Sequence, residues 1–166
     1  MKTFVVLAMH RSATSLVSKA MNNEISMGSE LMGAGHGNPL GHFEDMGFYR
    51  MNERILSLSG GSWHEPPPEE NIIEVGGNLF DEISELVRER KKEHQPWGWK
   101  DPRTALTIRA YHEHLINPHY IAVYREPEEV AKSLQIRNNF SIEKGLQLTK
   151  EYNKRISKFI KEFVKI

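Results

Sequence analysis

The most constraining feature of the sequence is a short apolar run that leads directly into a polar turn and an amphipathic helix. Residues Thr3–Met9 (TFVVLAM) are apolar or β-branched without alternation, which is typical of a strand buried on both faces. The polar turn His10–Ser15 comes next. It is followed by apolar residues at helical spacing, namely Leu16, Val17, Ala20 and Met21. Strand, tight turn and helix in this order indicate an α/β fold.

Later segments repeat the alternation of strand and helix. The segments Trp97–Lys100 and His119–Tyr124 predict two further strands, and Gly28–Met32 predicts another short one. Apolar residues at helical spacing predict helices over Asp45–Ser59, around Leu79–Val87, over Arg103–His114 and Glu128–Arg137, and from Ile142 to Phe163. We therefore expect one α/β domain over residues 1–166, with a central, mainly parallel sheet of four or five strands.

Composition excludes several functional classes. Lys+Arg and Asp+Glu both number 22, so a chain-wide attraction for nucleic acid or anionic lipid is not expected. The absence of cysteine excludes disulfides, thiolate metal sites and cysteine nucleophiles, and it fits a reducing cytoplasm. No stretch approaches the roughly 20 apolar residues of a membrane span. We expect a cytoplasmic protein without a membrane span; the sequence does not indicate its oligomeric state.

The first strand end is the first candidate site, because ligands of parallel sheets bind outside the carboxyl ends of the strands. The turn His10–Ser15 presents backbone N–H groups at a helix N-terminus, which attracts anions. Arg11 adds a planar charge that suits phosphate or sulfate oxygens. Hydroxyl donors come from Ser12, Thr14 and Ser15. The alternative is a capped helix without a ligand.

The segment Arg11-Ser12-Ala13-Thr14-Ser15 resembles the phosphosulfate-binding loop of sulfotransferases that use 3′-phosphoadenylyl sulfate (PAPS), where a strand runs into a [K/R]-S-G-T-[T/S] turn. The resemblance implies that His10, Arg11, Ser12, Ala13, Thr14 and Ser15 hold the 5′-phosphosulfate. Ala13 stands where glycine is usual, and alanine would be strained there if the position required a positive φ.

A second resemblance lies downstream, at Arg125, Pro127 and Ser133. In sulfotransferases an arginine after a later strand is usually followed within two residues by proline, and by a serine eight positions on. The resemblance implies that Arg125 and Ser133 bind the 3′-phosphate of the donor, which a guanidinium can do bidentately. The alternative for Arg125 is a structural ion pair with Glu128 or Glu129.

A third resemblance is the segment Trp99-Lys100-Asp101-Pro102-Arg103, which is similar to the K-D-P segment of tyrosylprotein and carbohydrate sulfotransferases and their bacterial relatives. It implies that Lys100 stabilises the bridging oxygen as the S–O bond breaks. The alternative is a surface lysine. Pro102 stands where the hepatic-type cytosolic enzymes have their catalytic histidine, so the base must come from elsewhere.

The base is expected in the segment Gly41–Asp45, at the place where glutamate-using sulfotransferases carry theirs. We favour Glu44 as the base that takes the proton of the acceptor hydroxyl, with His42 as the alternative. Asp45 is expected to cap the following helix. The competing interpretation of Glu44 is a first-turn carboxylate that the helix dipole favours.

Together these resemblances imply a P-loop nucleotide-kinase-like three-layer fold and transfer of a sulfuryl group from PAPS to a hydroxyl of a small molecule or carbohydrate. The product nucleotide would be 3′,5′-bisphosphoadenosine (PAP). Glu44, Lys100 and Arg11 would be catalytic, no metal is expected, and the loops Gly33–His42 and Gly60–Glu70 would select the acceptor. A small phosphotransferase using ATP and Mg²⁺ and a non-catalytic nucleotide- or anion-binding module are the alternatives.

Overall fold

The fold is built on a three-stranded parallel sheet, seen in a computed structural model that describes residues 2–33, 42–93 and 96–164. Strand β1 (Thr3–Ala8) lies in the middle, between β2 (Trp97–Lys100) and β3 (Pro118–Val123). Val6 of β1 lies opposite Lys100, and Ala8 lies opposite Val123. The carboxyl ends of the three strands therefore meet at one edge of the sheet, as the sequence predicts for a ligand site.

Helices connect and cover the strands. They are α1 (Thr14–Met21), α2 (Met46–Leu58), α3 (Glu69–Asn78), α4 (Phe80–Glu93), α5 (Thr104–Tyr111), α6 (Pro127–Asn138) and α7 (Ile142–Phe163). A 3-10 turn (His112–His114) extends α5. All the predicted helices are present, whereas α3 was not predicted. None of the described helices combines the length and the apolar character that a membrane span requires.

Helix α2 begins where the sequence predicts, because Asp45 caps it. The carboxylate of Asp45 accepts hydrogen bonds from the backbone N–H groups of Gly47 at 2.8 Å and Phe48 at 3.3 Å. It also pairs with Arg90 of α4, whose Nε lies 2.8 Å from Asp45 Oδ2. Although burial opposes the shift, Arg90 and the backbone N–H groups of Ser29 and Phe48 lower the pKa of Asp45. Arg90, within the charged stretch 88–93, is therefore turned inward towards the α2 cap.

The strand predicted at Gly28–Met32 is absent, so the described residues form three strands rather than four or five. This segment pairs instead with the residues before α2. Met32 N donates to the Glu44 carbonyl at 2.8 Å, and Met46 N donates to the Glu30 carbonyl at 2.9 Å. Gly28 has a φ of 135°, and a Cβ there would lie 2.8 Å from Asp45 Cβ. A bend against the α2 cap replaces the extended conformation that a sheet strand needs.

The part of the core between β2 and the helices α2 and α5 is aromatic. The rings of Phe48 and Trp99 stack at 4.1 Å, and Tyr111 lies 5.6 Å from Trp99. A buried polar network adjoins these rings: Asn52 Nδ2 donates to Asp101 Oδ2 at 2.9 Å. Asp101 directly follows β2, so this network fixes the strand end where the predicted site lies.

Candidate functional site

A cavity of about 310 Å³ opens at the carboxyl ends of the strands. The predicted site residues line it, with the exceptions of Ser12 and Ser133, and so do Pro102 and Arg137, which the sequence did not predict. This volume lies at the lower end of the range for small-molecule sites. Segments that are far apart in the sequence therefore converge on one place, as the predicted site requires.

The first loop reaches the cavity through two residues in the left-handed conformation. Arg11 has a φ of 68° and Ala13 a φ of 61°. The carbonyl of Ala13 accepts from Leu16 N at 3.1 Å, so α1 starts immediately after it and directs its N-terminus towards the cavity. The conformation explains why glycine would suit position 13, because a Cβ raises the energy of the left-handed region.

Arg11 and Arg125 meet in the cavity. Arg11 Nε donates to Ser133 Oγ at 2.8 Å, and Arg125 Nη1 donates to the carbonyl of Arg11 at 2.9 Å. Arg125 also forms the alternative ion pair that the sequence indicated, with its Nε 2.8 Å from Glu129 Oε2. That pair leaves Arg125 on the cavity wall. Ser133 reaches the cavity through Arg11, and Ser12 is buried within its loop.

Lys100 and Glu44 form a buried ion pair beside the cavity. Lys100 Nζ lies 3.1 Å from Glu44 Oε1 and also donates to the carbonyl of His42. Lys100 is only 1% exposed and Glu44 5%, so the surface-lysine interpretation is wrong. Glu44 precedes the α2 cap, Asp45, so it is not a first-turn carboxylate either. Both side chains are instead held together at the site.

Arg103 completes this buried network and was not predicted as part of it. Its Nη1 lies 2.9 Å from Asp101 Oδ1 and 3.7 Å from Glu44 Oε2, and its Nε pairs with Glu53. Although burial opposes the shift, the carboxylates of Asp101, Glu44 and Glu53 raise the pKa of Arg103. Arg103 is therefore a neutralised structural cation that holds Glu44 in place.

Both candidate bases face the cavity, and each has an altered pKa. Burial and the Asp101 carboxylate raise the pKa of Glu44, against the opposite influence of Lys100 and Arg103. A raised pKa makes a carboxylate a stronger base. Burial and the nearby Lys100 lower the pKa of His42, which keeps its ring neutral at neutral pH. The structure therefore brings the favoured base and its alternative to the same place.

His10 is a buried neutral ring at the end of β1. It is 5% exposed, and its Nε2 has no hydrogen-bond partner among the described residues. Its ring centroid lies 4.4 Å from that of Trp63. Burial and the surrounding cations, foremost Arg103 and Arg137, lower the pKa of His10 well below its usual value. A buried nitrogen without a partner is a feature that a bound ligand can satisfy.

Arg137 is a charged cavity residue that the sequence did not predict. It lies one helical turn beyond Ser133 on α6, so a shared i, i+4 face was the available signal. Its Nε donates to Asn138 Oδ1 at 2.8 Å, and within the described residues neither of its Nη atoms has an acceptor. Burial and the charge of Arg11 lower the pKa of Arg137. The guanidinium thus lies in a positive environment.

The arrangement is that of an anion-binding site with a proton acceptor beside it. Over residues 2–33, 42–93 and 96–164, no cluster of three or more His, Asp or Glu side chains could hold a metal ion. The chain matches no protein-family model, no curated protein sequence and no solved structure.

Proposed function

We propose that this protein is a PAPS-dependent sulfotransferase with a P-loop nucleotide-kinase-like layout, which acts on a hydroxyl of a small molecule or carbohydrate. The observation that carries the proposal is the contact between two distant segments. Arg11 and Ser133, and Arg125 and the Arg11 carbonyl, are joined across the end of the sheet. These are the residues that the sulfotransferase resemblance assigns to the two charged ends of the donor.

The charges in the cavity support a polyanionic ligand. Burial and the neighbouring Arg125 lower the pKa of Arg11. Cations that repel one another in a partly buried site favour the binding of an anion between them. The N-terminus of α1 adds backbone N–H groups with the same preference. PAPS supplies a phosphosulfate and a phosphate on one molecule.

Each of the site residues then has its own role in the reaction. Glu44 accepts the proton of the acceptor hydroxyl as the acceptor oxygen forms a bond to sulfur. The bond between sulfur and the bridging oxygen breaks, and its electron pair leaves with the 5′-phosphate of PAP. Lys100 and Arg11 stabilise the charge on that oxygen. The products are PAP, the sulfate ester of the acceptor and a proton on Glu44.

Thermal unfolding with added nucleotide tests the donor assignment. We expect PAP to raise the unfolding temperature more than AMP or ATP with Mg²⁺; a ligand at 100 times its Kd adds about 2.7 kcal/mol. Preference for ATP with Mg²⁺ would indicate a phosphotransferase instead. Equal effects of all three ligands, or none, would remove the donor assignment.

Two variants sharpen the test. Arg125→Ala should weaken PAP binding by about tenfold or more, since hydrogen bonds to charged groups contribute about 1.5–3 kcal/mol. Lys132→Ala is the matched control, because it removes an exposed cation from α6, the helix that follows Arg125. Transfer of labelled sulfate from PAPS to a panel of alcohols and phenols tests the enzyme itself. PAP binding without any transfer would favour the non-catalytic module.

A further inference from the structure

A second cavity adjoins the first and shares its central residues. It measures about 240 Å³, and both cavities are lined by His10, His42, Glu44 and Arg137. Glu44 therefore faces two compartments. If the first holds the donor, the second is where a hydroxyl can lie within reach of both Glu44 and the transferring group. This step rests on the function proposed above.

The walls of the second cavity are aromatic and cationic. Tyr49 and Trp63 supply ring surface, and Arg103 and Arg137 supply charge. Arg103 stacks on Tyr49 at 4.6 Å and is already neutralised by its carboxylate partners. Arg137 lies over Trp63 at 5.7 Å. Trp63 lines the second cavity and is not part of the first, so this contact turns Arg137 towards the second.

Arg137 has unused binding capacity. Among the described residues no carboxylate lies within ion-pair distance of it, and its two Nη atoms donate to nothing. A guanidinium with both terminal nitrogens available matches the two oxygens of a carboxylate. The phosphate and phosphosulfate of the donor already have Arg11, Arg125 and Lys100. The Arg137 guanidinium in the second cavity is therefore available to bind the acceptor.

We propose that the second cavity is the acceptor subsite and selects a small hydroxy acid, with Arg137 binding its carboxylate and Glu44 facing its hydroxyl. The cavity is smaller than the roughly 300–1,000 Å³ of sites for drug-sized ligands, so the acceptor is compact. The aromatic walls suit an apolar stem between the two polar groups. His10, whose Nε2 has no partner in the part of the chain that the structure describes, lines the same space.

The test compares acids with their neutral amides. Binding of para-hydroxybenzoate, para-hydroxybenzamide, lactate and lactamide to the PAP-saturated protein is measured by calorimetry, and sulfate transfer to each is measured with labelled PAPS. We expect at least one acid to bind at least tenfold more tightly than its amide. Arg137→Gln should abolish that preference through KM and leave the Kd for PAP within about threefold, whereas Lys132→Ala should change neither.

The outcomes separate this inference from the function on which it rests. No preference for either acid, with PAP binding intact, would overturn the acceptor assignment and leave the donor assignment standing. A tenfold loss of PAP affinity in Arg137→Gln with the acid preference retained would place Arg137 in the donor site and also overturn it. Failure of the wild-type protein to bind PAP would instead remove the proposed function itself.

Discussion

Replacing Glu44 with glutamine tests the buried pair at the centre of the site. The change removes the carboxylate partner of Lys100 and leaves the carbonyl of His42 as an acceptor. Breaking a buried ion pair typically costs about 3–5 kcal/mol. Two effects favour the lower end of this cost. Lys100 keeps the carbonyl of His42 as an acceptor, and the substitution relieves the repulsion between Glu44 and Asp101 that helps raise the pKa of Glu44. We expect a loss of about 3 kcal/mol at pH 7.

A double-mutant cycle measured by urea unfolding separates this loss from simple truncation. Glu44→Gln leaves the Lys100 charge with only the His42 carbonyl, and Lys100→Met leaves the Glu44 carboxylate with only Arg103, whereas the double variant contains neither charge. The double variant should therefore be more stable than the sum of the single losses predicts, with a coupling of about 2 kcal/mol. Glu53→Gln is the control: Glu53 is 43% exposed and Arg103 keeps its other partners, so the loss should be below about 1 kcal/mol. Additive single losses would refute the buried-pair argument.

The same variant tests catalysis. At a temperature where Glu44→Gln remains folded, sulfate transfer should fall by about 10²–10⁴-fold while PAP affinity is retained, since a general base acts on the acceptor. Full activity of Glu44→Gln would indicate that His42, and not Glu44, is the base.

Three further predictions concern stability. Ala13→Gly should raise the free energy of unfolding by about 0.5 kcal/mol, because relief of the left-handed strain exceeds the added freedom of the unfolded chain; a lower value in urea unfolding would contradict this. Burial lowers the pKa of His10. The neutral His10 ring therefore contributes to the free energy of unfolding above the unfolded pKa of about 6.5, and this contribution is lost as pH falls towards the folded pKa. His10→Asn should therefore flatten the pH dependence of unfolding between pH 6.5 and 5 by up to about 1.4 kcal/mol per pH unit, and an unchanged slope would exclude a neutral buried ring. Asp45→Ala should cost about 3 kcal/mol through loss of the α2 cap and the Arg90 pair, and Asp45→Ser should recover about 1 kcal/mol through the cap alone; equal chemical stability of the two variants would contradict this division.

The local sequence pattern predicted most helices and strands. The wrong predictions lie where contacts with residues far away in the sequence determine the conformation. The apolar run of β1 and the cap of α2 could be identified from neighbouring residues alone. Helix α3 could not, because Gly76 and Gly77 lower its intrinsic helix propensity. Gly76 is instead required by packing, since a Cβ there would lie 2.6 Å from Ala110 Cβ. The strand prediction for 28–32 was wrong for a similar reason, because this segment pairs with the residues before α2 and not with the sheet.

The site residues that lie at the ends of strands could be predicted from the sequence. Arg11 and Arg125 come shortly after a strand and Lys100 is the last residue of one, and parallel strands bring such residues to one edge. Arg137 lies 12 residues beyond Arg125, and only the path of α6 brings it back to the cavity. The acceptor-selecting loop predicted at Gly33–His42 lies largely outside the described residues, which exclude 34–41. The other predicted loop, Gly60–Glu70, contributes Trp63 to the second cavity.

The distribution of carboxylates explains why a chain of zero formal charge contains a locally positive cavity. Arg103 takes Asp101 and Glu53, and it shares Glu44 with Lys100. These pairs compensate the deepest charges, as burial demands. Arg137 has no carboxylate within ion-pair distance in the described part of the chain, and burial and the charges of Arg11 and Arg103 lower its pKa against the opposite influence of Glu44. The positive excess therefore arises from where the acidic residues are placed, and it lies beside Glu44, where both a donor anion and an acidic acceptor would need a cation.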